Sequence, residues 1–266
     1  MAVSRLASWW KVLVRLARHG FYEPRVYVLI PELRLAYLNV AKAASSSIIA
    51  ALEARAGRAF PRTEDGRFVR YDLAPGDSGC FVFTVVRNPF DRLASCYRDK
   101  ICHPDKIGPG RFLYERYRPF GRLRRPFRPR MPFDEFVQEV VRIPDSLADR
   151  HVRSQASFVF DRGGRCCADK IGRFETLSRD LAPMCERYGL SELPRRNVGW
   201  SNEPYDLLYT PELVELVASR YADDIERFGY EGAYHELQRD AAAGRHGRGA
   251  EDRGHPVNES FAKEPR

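Results

Sequence analysis

The first part of the chain alternates between apolar runs and a helical pattern. Residues 26–30 and 34–40 are apolar and aromatic runs on either side of Pro31 and Glu32, a favourable turn pair, and they predict a β-hairpin. The alanine-rich residues 48–56 predict a helix, because alanine is the most favourable helix former, and Gly57 is a stop signal. This segment therefore has the order strand, polar loop, helix.

A second segment repeats this order. Phe81–Val86 is a continuous apolar run, which is typical of a strand buried on both faces. Asn88 is a favourable N-cap and Pro89 fits the first position of a helix that we predict over 89–101. One face of that helix is apolar, and the other carries Arg92, Ser95 and Asp99. Two such units in succession favour an α/β fold with a parallel sheet.

The rest of the chain predicts three further helices, one strand and a polar tail. The helices are predicted over 131–141, 177–189 and 210–229, and residues 171–175 predict a strand or a strand end. We interpret residues 26–235 as a single domain, since 266 residues suffice for one α/β domain with a buried core. Residues 236–266 are expected to be disordered, because their polar composition cannot form a core.

Residues 1–25 are predicted to form a basic amphipathic helix. No apolar run in them reaches the roughly 20 residues that span a membrane, and no cleavage site follows an apolar core. The helix either packs on the domain or contacts a membrane surface peripherally through residues 1–20. We expect a cytoplasmic protein, with membrane association as the alternative.

The net charge indicates the kind of partner, and the cysteines bear on whether the chain has disulfides or a metal site. The chain has 44 Lys and Arg against 36 Asp and Glu, a net charge of +8, and a basic protein favours anionic partners such as nucleotides, acidic glycans, nucleic acid or membrane surface. Six cysteines are not a disulfide framework in a chain of this length, so we expect free thiols in a reducing compartment. The adjacent Cys166 and Cys167 lack partners at zinc-ligand spacing, and no metal site is predicted.

The loop between the first strand and the first helix has the composition of an anion site. Residues 39–48 read Asn-Val-Ala-Lys-Ala-Ala-Ser-Ser-Ser-Ile. Backbone N–H groups, the positive end of the helix dipole and serine hydroxyls meet there, and Lys42 adds a positive charge. The alternative is that the serines only cap the helix. The glycines of the ATP-binding loop G-x-x-x-x-G-K-[ST] are absent.

Arg87 and Ser95 form a second candidate anion site. Arg87 leaves the carboxyl end of the buried strand, where open α/β sheets bind ligands, and Ser95 lies two turns into the next helix. An arginine fork and a hydroxyl so placed suit a second phosphate. The alternative is a surface arginine and a helix serine without a ligand.

Together these loops resemble the paired cofactor loops of sulfotransferases. Residues 42–47 fit Lys-x-x-x-Ser-Ser, and residues 87–97 read Arg-Asn-Pro-Phe-Asp-Arg-Leu-Ala-Ser-Cys-Tyr. The chain is most similar to the Golgi carbohydrate sulfotransferases and their bacterial relatives, sulfotransferase family 2. Residues 149–155, 169–177, 193–197 and 221–230 extend the resemblance over about 26–230. The chain departs from the pattern at Ala41, where proline is common, at Ala44, where glycine is common, and in lacking a membrane span.

The resemblance implies a P-loop-NTPase-like parallel sheet flanked by helices. It also implies sulfuryl transfer, without a metal, from 3'-phosphoadenosine 5'-phosphosulfate (PAPS) to a hydroxyl of a carbohydrate acceptor. Lys42 is expected to stabilise the developing charge, and His151 or, second, His103 to act as general base. Phe174 is expected near adenine, unless it is an ordinary core aromatic. The residues expected to bind the cofactor are Lys42, Ala43, Ala44, Ser45, Ser46, Ser47, Arg87, Ser95, Phe174, Arg196 and Asn197, with Arg195 also available.

Residues 103–132 interrupt the α/β pattern with arginines interleaved with aromatic residues and prolines. Prolines at 119, 126 and 129 exclude one long helix. We expect a basic lid that recruits an acidic or sugar acceptor; the alternative is a solvated loop without a dedicated partner. Nucleic acid is not expected as a partner, because no nucleic-acid-binding module surrounds this segment.

Two other classes stay open from the sequence. A P-loop-type nucleotide-dependent kinase would need ATP and Mg²⁺, and the sequence offers no acidic cluster for the metal. A basic nucleic-acid- or membrane-binding module would tolerate the loss of Lys42 and Arg87, whereas the enzyme would lose cofactor binding or turnover. The sequence does not fix the acceptor.

Overall fold

The computed structural model describes residues 13, 14, 16, 17, 19–21, 23–61, 79–102, 126–190 and 203–244. Within these residues one sheet has the order β1 (Tyr27–Ile30), β2 (Leu35–Leu38), β3 (Phe81–Val86), β4 (Lys170–Arg173). Strands β2, β3 and β4 are parallel, and β1 pairs with β2 antiparallel. The predicted α/β fold with a parallel sheet is confirmed, and the hairpin adds one antiparallel strand at its edge.

Strands β1, β2 and β3 are buried on both faces, as their apolar runs predict, whereas β4 is exposed at Lys170 and Arg173. Alternate residues of the strands point to opposite faces. Val28, Tyr37 and Phe83 belong to the large core that the helices cover, whereas Ala36 and Val82 belong to a smaller cluster on the other face. Burial on both faces fixes the register of the strands, because a shift by one residue would exchange the two sets.

Helices follow the strands in the predicted order. The first is α1 (Ser45–Ala56), which begins three residues before the predicted start. Strand β3 leads into α2 (Pro89–Tyr97), which continues as one π-helical turn, Arg98–Cys102. The remaining helices are α3 (Phe133–Val141), α4 (Ala156–Val159), α5 (Leu177–Tyr188), α6 (Pro211–Arg220), α7 (Ala222–Phe228) and α8 (Glu231–Ala242).

Two predicted boundaries near the C-terminus are wrong. The single helix predicted over 210–229 is two helices, α6 and α7, that meet at Tyr221. Ordered structure also continues past residue 235, because Leu237 and Ala241 of α8 are buried, four positions apart on one helix face. Residues 245–266 of the predicted tail lie outside the described part of the chain.

The structure describes only parts of two predicted segments, the N-terminal helix (1–25) and the basic lid (103–132). Of residues 103–132, only 126–132 are described, and Phe127 and Met131 there are buried. Near the N-terminus, the described positions between 13 and 19 are helical, and Leu13 and Val14 are exposed. None of the described helices has the length and apolar composition that crossing a membrane requires. All six cysteines lie in described regions and are free thiols.

Candidate functional site

Three loops meet at the carboxyl edge of the parallel strands. The Lys42 loop follows β2, Arg87 follows β3, and Phe174 follows β4. Arg87 lies in the middle: its Nη1 donates a hydrogen bond to the Lys42 carbonyl at 3.2 Å, and its guanidinium carbon lies 4.1 Å from the centroid of the Phe174 ring. The sheet therefore brings these three predicted site residues to one place.

The loop before α1 has the geometry of an anion site. Lys42 and Ala44 have positive φ angles of 68° and 59°, and Ala44 is the N-cap, without a side-chain cap. The Ser45 hydroxyl instead donates to the Val40 carbonyl at 2.7 Å. The interpretation that the serines cap the helix is therefore wrong. The Ser47 N–H donates to the Ala44 carbonyl at 3.0 Å. The first N–H groups of a helix have no carbonyl partner four residues earlier, so those of Ser45 and Ser46 suit an anion.

The other small residues of this loop differ in exposure. Ala43 and Ser47 are buried, Ser45 is half-buried and Ser46 is exposed. Small side chains here leave the backbone accessible, which the close approach of a phosphate requires.

Lys42 forms an ion pair that the sequence did not reveal. Its Nζ lies 3.1 Å from Asp99 Oδ2, and Lys100 Nζ lies 3.1 Å from the same oxygen. Burial lowers the pKa of Lys42, although Asp99 opposes this effect. Burial would raise the pKa of Asp99, but Lys42 and Lys100 outweigh it and lower that pKa to about 2. The helix pattern put Asp99 on a polar face but gave no indication of its partner.

Arg87 is an organising residue whose guanidinium keeps free donors. Its Nε and Nη2 donate to the two Asp91 oxygens at 2.8 and 2.7 Å, and its Nη1 donates to Lys42. An arginine has five N–H groups, so two stay available among the described residues. The separation of Arg87 and Asp91 by four positions was the signal for this pair in the sequence. Ser95 is half-buried in α2.

Side chains from other segments hold the backbone between β3 and α2 by hydrogen bonds. Gln155 Oε1 accepts a hydrogen bond from the Arg87 N–H at 2.9 Å, and its Nε2 donates to the Arg87 carbonyl at 2.8 Å. The buried Asp224 accepts a hydrogen bond from the Gln155 N–H at 2.9 Å. Glu175 accepts one from the Asn88 N–H at 2.7 Å. The orientation of Arg87 thus depends on side chains distant in sequence.

Arg92 is buried, although the helix pattern grouped it with the polar residues of α2. Only 1% of it is exposed. Its Nε donates to the Ala41 carbonyl at 2.9 Å, while its Nη1 and Nη2 donate to the Arg153 and Arg150 carbonyls, each at 3.0 Å. Arg92 therefore fastens the segment that contains His151 to the Lys42 loop.

His151 lies in that segment beside a buried carboxylate. Its Nδ1 is 2.6 Å from Asp149 Oδ1, and 12% of its side chain is exposed. Burial would raise the pKa of Asp99; Lys42 and Lys100 lower it, and His151 lowers it to a smaller extent. Four other predicted residues, His103, Arg195, Arg196 and Asn197, lie outside the described residues.

No metal-ligand cluster is found in the described ranges. There, no three or more His, Cys, Asp or Glu side chains are grouped so that they could hold a metal ion.

The fold and the site define an α/β protein in which the loop between β2 and α1 has a geometry that suits an anion. The model of the sulfotransferase family, sulfotransferase family 2, matches residues 25–231. The chain therefore belongs to the sulfotransferase family, and the protein is a transferase of sulfuryl groups. Searches of curated proteins and of solved structures returned no match.

Proposed function

We propose that the protein transfers a sulfuryl group from PAPS to a hydroxyl of a carbohydrate acceptor. The observation that carries this proposal is the 3.2 Å hydrogen bond from Arg87 Nη1 to the Lys42 carbonyl. It joins the two loops to which we assign the two phosphates of one nucleotide. Family membership supports sulfuryl transfer; the donor and the acceptor class are our inference.

The described residues fit a bisphosphorylated donor. The N–H groups of Ser45 and Ser46, the first two residues of α1, and the Lys42 ammonium suit its 5'-phosphate end. The two free N–H groups of Arg87 and the Ser95 hydroxyl suit its 3'-phosphate. Phe174, whose ring is in contact with the Arg87 guanidinium, is assigned to the adenine. Arg196 and Asn197 stay predictions for the 3'-phosphate.

The chemistry depends on two side chains. The bound donor supplies an activated sulfuryl group. Lys42 stabilises the negative charge that develops on the bridging oxygen, and one preorganised donor of this kind contributes about 3 kcal/mol to a transition state. His151 takes the proton of the acceptor hydroxyl, which an imidazole can do near neutral pH.

The acceptor class is inferred from charge. The chain is basic, and residues 103–132 combine arginines with aromatic rings, which suits an acidic or carbohydrate acceptor. A cytoplasmic location and peripheral membrane contact through residues 1–20 stay proposals of the same kind.

Transfer of labelled sulfate from PAPS to a panel of glycans and lipids tests the proposal. We expect label on a glycan, and we expect adenosine 3',5'-bisphosphate to raise the melting temperature more than ATP with Mg²⁺ does. No transfer to any acceptor, with stabilisation by ATP and Mg²⁺ alone, would replace this proposal with a kinase.

Two variants locate the activity. Lys42→Met should lower kcat by about 10²-fold or more, because it removes the charge at the bridging oxygen. Lys170→Met is the matched control: Lys170 is exposed at the amino end of β4, on the opposite edge of the sheet, and its loss should leave kcat unchanged. Equal activity of both variants would contradict the role of Lys42.

A further inference from the structure

We propose that Asp149 is a positioning residue that holds the His151 imidazole with its proton on Nδ1, so that Nε2 is the nitrogen that acts as base. This inference rests on the proposed function, because it concerns how His151 takes the acceptor proton. Asp149 is a carboxylate that is fully buried beside the histidine.

The hydrogen bond to an ionised Asp149 sets the tautomer of His151. His151 Nδ1 and Asp149 Oδ1 are 2.6 Å apart. An ionised carboxylate can only accept hydrogen bonds, so Nδ1 must be the donor and must carry the proton. In a neutral imidazole the other nitrogen then has the lone pair. Nε2 is therefore the nitrogen that can accept a proton.

The carboxylate is held where it can fix the ring. Asp149 Oδ1 also accepts a hydrogen bond from the His151 backbone N–H at 2.9 Å, so one oxygen fixes both the backbone and the ring of the same residue. The Asp149 carbonyl accepts from the Val152 and Arg153 N–H groups, each at 2.9 Å. The buried Arg92 donates a hydrogen bond to the carbonyl of Arg150, the residue between Asp149 and His151. The turn around His151 is therefore anchored on both sides.

Proton transfer to His151 accompanies the transfer of the sulfuryl group. Nε2 takes the hydroxyl proton while the acceptor oxygen bonds to sulfur. The bond between sulfur and the bridging oxygen of the donor breaks, and its electron pair stays on the 5'-phosphate, near Lys42. His151 becomes an imidazolium, which the Asp149 carboxylate stabilises as an adjacent negative charge.

A purely structural role for Asp149 is the competing explanation, and the chain contains a matched example. Asp161 Oδ1 accepts a hydrogen bond from the Gly163 N–H, two residues on, at 2.9 Å, with no histidine involved. If Asp149 only makes such a turn, then replacing it should affect folding but not the tautomer or the chemical step.

The kinetic test compares Asp149→Asn with Asp161→Asn. Asparagine can still accept from the backbone N–H but has no negative charge. We expect Asp149→Asn to lower kcat by about 10²-fold or more, with the KM for PAPS unchanged, because general-base catalysis contributes about 10²–10⁴-fold. Asp161→Asn should leave both parameters unchanged. Retention of the wild-type kcat by Asp149→Asn would overturn the proposal.

A double-variant cycle separates the two roles further. His151→Gln removes the base, and we expect Asp149→Asn to lower kcat no further in that background, because the two residues act as a unit. A turn residue would lower kcat in both backgrounds, which would also overturn the proposal.

Nuclear magnetic resonance of histidine labelled with nitrogen-15 reads the tautomer in the unmodified protein, and a variant is needed only to assign the signal. His151→Gln assigns the signal. We expect a proton on Nδ1 with a strongly downfield shift. A proton on Nε2 alone would refute the proposal whatever the kinetics. Binding of adenosine 3',5'-bisphosphate is measured in parallel; its absence would count against the proposed function, whereas the tautomer bears only on Asp149.

Discussion

Ala44 has a backbone conformation that a side chain disfavours. Its φ of 59° is left-handed, which costs a non-glycine residue about 1–2 kcal/mol, whereas glycine adopts it readily. Glycine also loses more conformational freedom on folding. We therefore expect Ala44→Gly to raise the free energy of unfolding by about 0.5–1 kcal/mol, measured by urea denaturation.

Ala54→Gly is the control for this prediction. Ala54 is exposed within α1, where glycine costs about 1 kcal/mol relative to alanine. The two substitutions should therefore change stability in opposite directions. A destabilised Ala44→Gly protein would mean that the left-handed conformation is not strained.

Asp99 makes the stability of the protein depend on pH in the acid range. Its pKa is about 2 in the folded protein against an ordinary 3.8. Because the pKa of Asp99 is lower in the folded protein, its ionised carboxylate stabilises the fold at pH values above 3.8. This stabilisation is lost as the pH falls through about 2. We expect Asp99→Asn to cost about 2 kcal/mol at pH 5 and progressively less from pH 4 to pH 2.5, in urea unfolding. A difference that does not vary with pH would contradict the ion pair.

At the scale of elements, the connection from β3 to α2 depends on a glutamine outside both. Gln155 bonds the N–H and the carbonyl of Arg87 with its side-chain amide. Gln155→Met should therefore leave both buried groups without a partner, each costing about 1–3 kcal/mol. We expect a loss of about 2–4 kcal/mol in urea unfolding, together with weaker binding of adenosine 3',5'-bisphosphate.

Gln138→Met is the matched control at this scale. Gln138 is exposed on α3, and exposed substitutions of this kind usually change stability by less than about 0.5 kcal/mol. If both variants lost the same stability, then the Gln155 clamp would contribute nothing specific.

The prediction of helices and strands succeeded where the local sequence pattern favoured a single type of structure. The uninterrupted apolar run Phe81–Val86 predicted β3 to the residue, and Gly189 and Gly229 end α5 and α7 with left-handed φ angles. It failed at Tyr221, where the helical sequence pattern continues but one helix, α6, ends and another, α7, begins. The Tyr221 hydroxyl donates to the Val152 carbonyl at 2.7 Å, a partner 69 residues away that no local pattern contains.

At the scale of the whole molecule, Arg92 joins three segments that lie far apart in sequence. It donates to carbonyls of Ala41, Arg150 and Arg153. Arg92→Lys keeps the charge but loses the planar fork, so at least one buried carbonyl is left without a donor. We expect a loss of about 2–3 kcal/mol in urea unfolding.

Arg142→Lys provides the comparison for Arg92→Lys. The Arg142 side chain is 54% exposed and pairs only with Glu139 among the described residues, so its replacement should change stability by less than about 0.5 kcal/mol. Equal effects would show that the three hydrogen bonds of Arg92 are not needed to hold the segments together.

The local sequence was sufficient to predict the strands, the order of strand and helix, and the two loops that carry Lys42 and Arg87. These features follow from local periodicity, from turn chemistry and from motifs whose residues are close in sequence. The side-chain partners became known only from the folded chain: Asp99 for Lys42, Gln155 for Arg87, and three carbonyls for Arg92. The same holds for the register of the sheet that brings the loops together. Such pairings depend on burial and on distances between segments up to 87 residues apart, and the sequence pattern around either partner does not contain them.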